Sequence, residues 1–93
     1  MRHLLGYIIS NPEETQFLNK QGDFSVCKIG ELPVMVDMSS LFSNSGVAQS
    51  YLDKAKDSKG ILPKDVQAFL ETSAVRPVYG VIETLVLGPA LKP

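Results

Sequence analysis

Catalysis and metal binding need nucleophiles, proton carriers or ligands gathered in one place, and this sequence offers few of them. His3 is its only histidine and Cys27 its only cysteine. One histidine excludes a catalytic histidine pair, and one cysteine with scattered carboxylates does not make a zinc ligand set. Cys27 has no CxxC partner and is followed by Lys28. A neighbouring lysine can lower a thiol pKa, but successive strand residues point to opposite faces, so Cys27 reads as a buried structural cysteine. His3, beside Arg2 at the start of the first predicted strand, reads as a surface residue. No metal or other cofactor is implied, and no catalytic residue is assigned.

The carboxylates carry more information. Glu13 and Glu14 stand where a helix is expected to begin, and the positive end of its dipole explains them. Asp37 and Glu83 fall in predicted strands, with Met35, Val81 and Leu85 on the faces they share. On an uncovered sheet face they would be the few polar groups of an apolar pocket, with Tyr7 or Tyr79 nearby. A carboxylate held there would have a raised pKa and could serve as an acid or base. The plainer account takes both carboxylates to solvent at strand ends, or pairs them across a dimer. Tyr7, Met35, Asp37, Tyr79, Val81, Glu83 and Leu85 are therefore the candidate binding residues.

The elements that position them follow from local pattern. His3 to Ile9 reads as a strand. Ser10 or Asn11 caps a helix with Pro12 in its first position, which runs to about Asn19 and is closed by Gly22 in a left-handed cap. Asp23 to Ile29 and Leu32 to Met38 read as two strands joined by Gly30-Glu31, a pair suited to a tight type II′ turn. Ser39 to Gly46 is a loop or single turn leading to a helix capped by Asn44 or Ser45. Val47, Ala48, Tyr51, Leu52 and Ala55 form that helix's inward stripe, and Gly60 ends it. Pro63 opens a further helix with Val66, Phe69 and Leu70 inward, which Pro77 keeps from running much past Ser73. A last strand runs from Val78 to Leu87. The order is βαββαβ, the ferredoxin-like pattern, which predicts an α+β domain with a four-stranded antiparallel sheet and helices on one face.

Composition narrows the function. The chain has 93 residues, 44% of them hydrophobic and 20% charged, which suits a single small globular domain. Its nine basic and ten acidic residues give a net charge of −1, and Lys54, Lys56, Lys59 and Lys64 are interleaved with Asp53, Asp57 and Asp65. Nucleic-acid binders display a basic stripe instead. Tyr7 to Asn11 faintly resembles the first-strand motif of RNA-recognition domains, but Leu32 to Met38 lacks the Gly-rich aromatic partner motif. Ser43 to Gly46 lacks the glycine spacing and lysine of a phosphate loop, and helix capping explains it. No apolar run is long enough to span a membrane, and the N-terminal run lacks a small-residue cleavage site. Neither nucleic acid nor membrane is expected as a partner, and a cytoplasmic location is. Pro89, Lys92 and Pro93 suggest a frayed tail.

One stretch departs from the pattern of an open sheet. Such a sheet alternates apolar and polar residues, yet Val78 to Leu87 is apolar on both faces. The first strand behaves likewise, with Leu5, Tyr7 and Ile9 opposed to Leu4 and Ile8. The second face must meet another subunit, a small apolar ligand, or the chain's own loop or tail. The expectation is a non-catalytic, homodimeric binding or interaction module that holds a small apolar ligand or a protein partner on this face or in an intersubunit cleft. The alternative is a small dimeric enzyme of the α+β-barrel kind, with chemistry from Asp37, Glu83, Tyr7, Tyr79 or His3.

Overall fold

A computed structural model describes residues 2–31, 38–81 and 84–91. Arg2–Ser10 is strand β1, and two short strands follow, Gln16–Leu18 (β2) and Phe24–Val26 (β3). Helix α1 covers Ser45–Asp57 and helix α2 covers Lys64–Thr72. Ala74–Val81 (β4) and Thr84–Leu87 (β5) complete a sheet of order β3-β2-β1-β4-β5, antiparallel at every pairing. The domain is therefore α+β with an open five-stranded sheet, rather than the four strands of a βαββαβ order. Among the described residues no helix is long and apolar enough to cross a membrane.

The first departure from expectation lies at Pro12–Asn19, which forms a turn and then β2 instead of a helix. Asn11 is the reason. Its buried Oδ1 accepts from the backbone N–H groups of Thr15 (2.9 Å) and Gln16 (3.0 Å), while its Nδ2 donates to Thr15 Oγ1 at 3.0 Å. An asparagine that bonds the backbone in this way offers it an alternative to the helix. Asn19 repeats the device between β2 and β3, its Oδ1 accepting from the N–H groups of Gln21 and Asp23. Gly22 is left-handed there, at φ 84°, but it serves this hairpin turn and not a helix cap. Strand geometry then sends Phe17 and Leu18, both buried, to opposite faces of the sheet.

The expected type II′ turn at Gly30-Glu31 does not form. Ile29–Glu31 is a 3₁₀ turn, Gly30 has no positive φ, and Phe24–Val26 pairs with β2. Lys28 donates its backbone N–H to Glu31 Oε2 at 3.2 Å, and Glu31 donates its own to the Lys28 carbonyl, which closes the turn locally. The expected strand at Leu32–Met38 lies outside the described residues except for Met38, which begins a 3₁₀ turn, Met38–Ser40. Farther along, Asn44 caps α1 as expected, its Oδ1 accepting from Val47 N at 2.8 Å. Helix α1 ends at Ser58, before Gly60, and Pro63 stands at the N-cap of α2.

Two cores explain why β1 and β4 are apolar on both sides. On one face Ile9, Leu18 and Val75 meet Ala48 and Leu52 of α1 and Phe69 and Leu70 of α2. Edge-to-face pairs, Phe24 with Phe69 and Phe42 with Tyr51, add to this layer. On the other face Ile8, Phe17, Val78 and Leu87 meet Leu41, with Cys27, Ile29 and Leu85 at the margin. The protein's own loop residues therefore cover the second face over this half of the sheet. The anchor is a backbone bridge between Tyr7 and Phe42, with N–H to carbonyl distances of 2.8 and 2.9 Å. The C-terminal run is tied down as well, since Leu91 donates to the Val75 carbonyl at 2.9 Å and packs against the helical core. It is not a frayed tail as far as Leu91.

Candidate functional site

The expected single strand Val78–Leu87 is two strands that turn back on each other. Val78 pairs with Leu87, Tyr79 with Val86, Gly80 with Leu85 and Val81 with Thr84. The reversal changes which residues share a face: Val78, Gly80, Leu85 and Leu87 lie together, and Tyr79, Val81, Thr84 and Val86 lie together. A second change of face occurs in β1, where the register shifts between Leu4 and Gly6. This bulge takes Leu5 out of the pairing, so that Leu4, not Leu5, shares the helix-side face with Tyr7 and Ile9. A Cβ placed on Gly80 would lie 3.5 Å from Leu5 Cδ1, which locates Leu5 over Gly80 on the opposite face.

Gly6 permits the bulge. Its φ is 157°, and a Cβ there would stand 2.8 Å from the Phe42 carbonyl oxygen and 2.9 Å from Leu41 Cβ. The close approach of the Leu41–Phe42 segment thus needs a residue without a side chain. Beyond Gly6 nothing described packs over β1, and Arg2 to Leu5 are all exposed. At a strand rise of roughly 3.3 Å per residue, the four residues before Gly6 extend about 13 Å past the covered half of the sheet. With the facing parts of β4 and β5 they make a three-stranded arm, in keeping with principal extents of 41 × 24 × 21 Å.

The arm is apolar on both faces. The helix-side face carries Leu4, Tyr79, Val81 and Val86 with Arg2 and Thr84 at its tip, and the far face carries Leu5, Gly80 and Leu85 with His3 toward the tip. Leu4 is 52% exposed, Leu5 50% and Val86 40%. The Arg2 guanidinium lies 4.3 Å from the centre of the Tyr79 ring, a cation–π contact at the tip.

Of the residues singled out from sequence, Tyr79 and Val81 come together on the helix-side face of this arm. Leu85 lies on the far face, where it also touches the second core. Tyr7 shares the helix-side face but is half-buried against the helical core. Met35, Asp37 and Glu83 lie outside the described residues. Leu4, Leu5 and Val86 are exposed apolar positions of the arm beyond the residues selected from sequence, while Val26, Val47 and Ile61 are exposed elsewhere on the domain. The signal for Leu4 and Leu5 was their place before a glycine within a strand pattern, which marks a bulge. Among the described residues no three His, Cys, Asp or Glu side chains cluster as metal ligands would. Glu14, read as a helix-end charge, instead reaches Arg76, with Oε2 3.7 Å from Nη2. Burial raises the pKa of the Cys27 thiol, and the Glu31 carboxylate adds to the effect. That is the reverse of an activation by Lys28. No protein-family model, curated protein or solved structure matches the chain.

Proposed function

We propose that this protein is a non-catalytic interaction module that self-associates through the projecting arm of β1, β4 and β5. The observation that carries the reading is the arm's two-faced apolar surface. Leu4, Leu5 and Val86 are each two-fifths or more exposed on a hydrogen-bonded sheet. Contiguous exposed apolar surface of this kind marks interaction sites in soluble proteins. A second copy of the chain is a fitting occupant because like surfaces are self-complementary about a two-fold axis.

Size constrains the contact. Three strands spaced about 4.8 Å apart and about 13 Å long give a face much smaller than the roughly 800 Å² that each partner contributes to a standard interface. Both faces together give about 400 Å² of sheet per chain, still below that figure, so association through the arm is expected at high micromolar rather than low concentration. Light scattering on a size-exclusion column tests this. The wild type is expected at twice the 10.1 kDa mass of the chain, and the double variant Leu4→Lys/Val86→Lys at the mass of one chain with an unchanged circular dichroism spectrum. A wild-type chain that stays monomeric at high micromolar concentration refutes the proposal.

A further inference from the structure

Between α1, α2 and the β2–β3 turn lies an apolar cleft of about 470 Å³. Its volume falls in the range of small-molecule sites, about 300–1,000 Å³. It is lined by the buried Leu18 and Leu70 and the half-buried Phe24, Leu62 and Val66, with Pro63 beside them. Small residues keep it open. Ala55 faces it from α1, and Gly22 faces it from the turn, where a Cβ would stand 3.1 Å from Tyr51 Oη.

The polar groups of the cleft come from one stripe of α1, at Tyr51, Lys54 and Ser58. These positions are three and four residues apart and so lie along one helix face. Among the described residues no carboxylate pairs with Lys54, and the Tyr51 hydroxyl makes no hydrogen bond. Asp53, the acid next to Lys54, is engaged on another side of the helix by Gln49 Nε2 at 3.0 Å. The cleft thus combines an apolar interior with one uncompensated ammonium and two hydroxyls at its rim. All three can donate a hydrogen bond, and the ammonium can only donate.

We infer that this cleft binds a small amphiphile with a hydrocarbon body and a single carboxylate head, the body against Phe24, Leu62 and Val66 and the head between Lys54 and Tyr51. The inference is independent of self-association, because the cleft shares no lining residue with the arm. Charge complementarity selects this occupant: a cationic head would meet Lys54 with like charge, and an uncharged one would leave this exposed rim ammonium to water.

The test is titration of the full chain with decanoate, decan-1-ol and decyltrimethylammonium, followed by methyl NMR shifts of Leu62, Val66 and Ala55. Decanoate is expected to give saturable shifts at these methyls and to bind more tightly than the alcohol, with the ammonium weakest. Lys54→Met should weaken decanoate by about five- to tenfold, the scale of one partly solvated charged contact, and leave the alcohol unchanged. Ala55→Phe should block both without unfolding the domain, as judged by the shifts of Ile8 and Val78. Several results would overturn the inference: no saturable shift up to millimolar decanoate, equal binding of the cationic and anionic amphiphiles, equal loss of carboxylate and alcohol in Lys54→Met, or shifts confined to Leu4 and Val86. Capture of an amphipathic peptide in the cleft without decanoate binding would also overturn it.

Discussion

Replacing Arg76 with methionine should destabilise the fold more than loss of a surface ion pair can explain, because Arg76 substitutes for a backbone donor that proline removes. Pro77 stands opposite Tyr7 in the β1–β4 ladder, and its carbonyl accepts from Gly88 N at 2.9 Å. In a regular antiparallel pair, residue 77 would return a hydrogen bond from its own N–H to the Gly88 carbonyl. Proline has no N–H. The Gly88 carbonyl, on a buried residue, instead accepts from Arg76 Nε at 2.7 Å. The same guanidinium reaches Glu14 at 3.7 Å, and its side chain is only 14% exposed against 41% for Glu14. A hydrogen bond to a charged donor contributes about 1.5–3 kcal/mol, and a partly exposed ion pair about 0–1 kcal/mol.

Arg76→Met, which keeps the apolar stem, should therefore cost about 2–3 kcal/mol, and Glu14→Gln under about 1 kcal/mol. Against a total stability of roughly 5–14 kcal/mol for a domain of this length, the first is a large loss. With a urea slope near 1 kcal/mol/M it lowers the midpoint by about 2–3 M, which circular dichroism resolves readily. Pro77→Ala restores the missing N–H at the cost of ring packing. In a double-mutant cycle it should recover about 1 kcal/mol more in the Arg76→Met background than the wild-type background predicts. If Arg76→Met falls within about 0.5 kcal/mol of the wild type, or the cycle shows no coupling, the substitution of Nε for a backbone donor is refuted.

Gly6→Ala should cost about 2–4 kcal/mol, because the added Cβ meets the Phe42 carbonyl and Leu41 at a φ that L-residues rarely adopt. Amide exchange at Tyr7 and Phe42 should quicken with it, and unchanged protection there would show that the bulge tolerates a side chain. Cys27 should alkylate more slowly at pH 8 than an unstructured cysteine, since burial and then Glu31 hold its pKa above the ordinary value. A raised pKa also means that the native state holds this proton more tightly than the unfolded chain. Its contribution to stability is therefore complete below the ordinary cysteine range and is lost as pH rises through the folded pKa. Glu31→Gln should quicken the alkylation modestly, and labelling as fast as that of a free thiol would contradict the assignment.

How far this structure was legible depended on whether a signal was local or relational. The helices were legible because their determinants are local: Asn44 as cap, the Ala48–Leu52 stripe and Pro63 at the start of α2. The α+β class followed, and so did the two-faced apolar character of β1 and the Val78–Leu87 stretch. Which residues share a face was not legible, because in strands a single extra residue or a reversal exchanges the faces of everything beyond it. The bulge at Leu5 moved Leu4 to the face of Tyr7, and the return of β5 on β4 moved Leu85 away from Val81. The β2–β3 hairpin was hidden for another reason. Ser10, Asn11, Pro12 and Glu13 suit a helix start, and only the capture of the Thr15 and Gln16 amides by Asn11 decides against it. That decision is tertiary, since β2 is stable only where Phe17 and Leu18 each find a core on its own side of the sheet. The same dependence accounts for the candidate surface. Both faces of the sheet are closed wherever the chain supplies cover, from the helices on one side and from Leu41, Cys27 and Ile29 on the other. The cover stops at Gly6, while the apolar pattern continues to Leu4. The arm thus carries a core-like sequence with no described residue packed over its far end, and the proposed self-association rests on that mismatch.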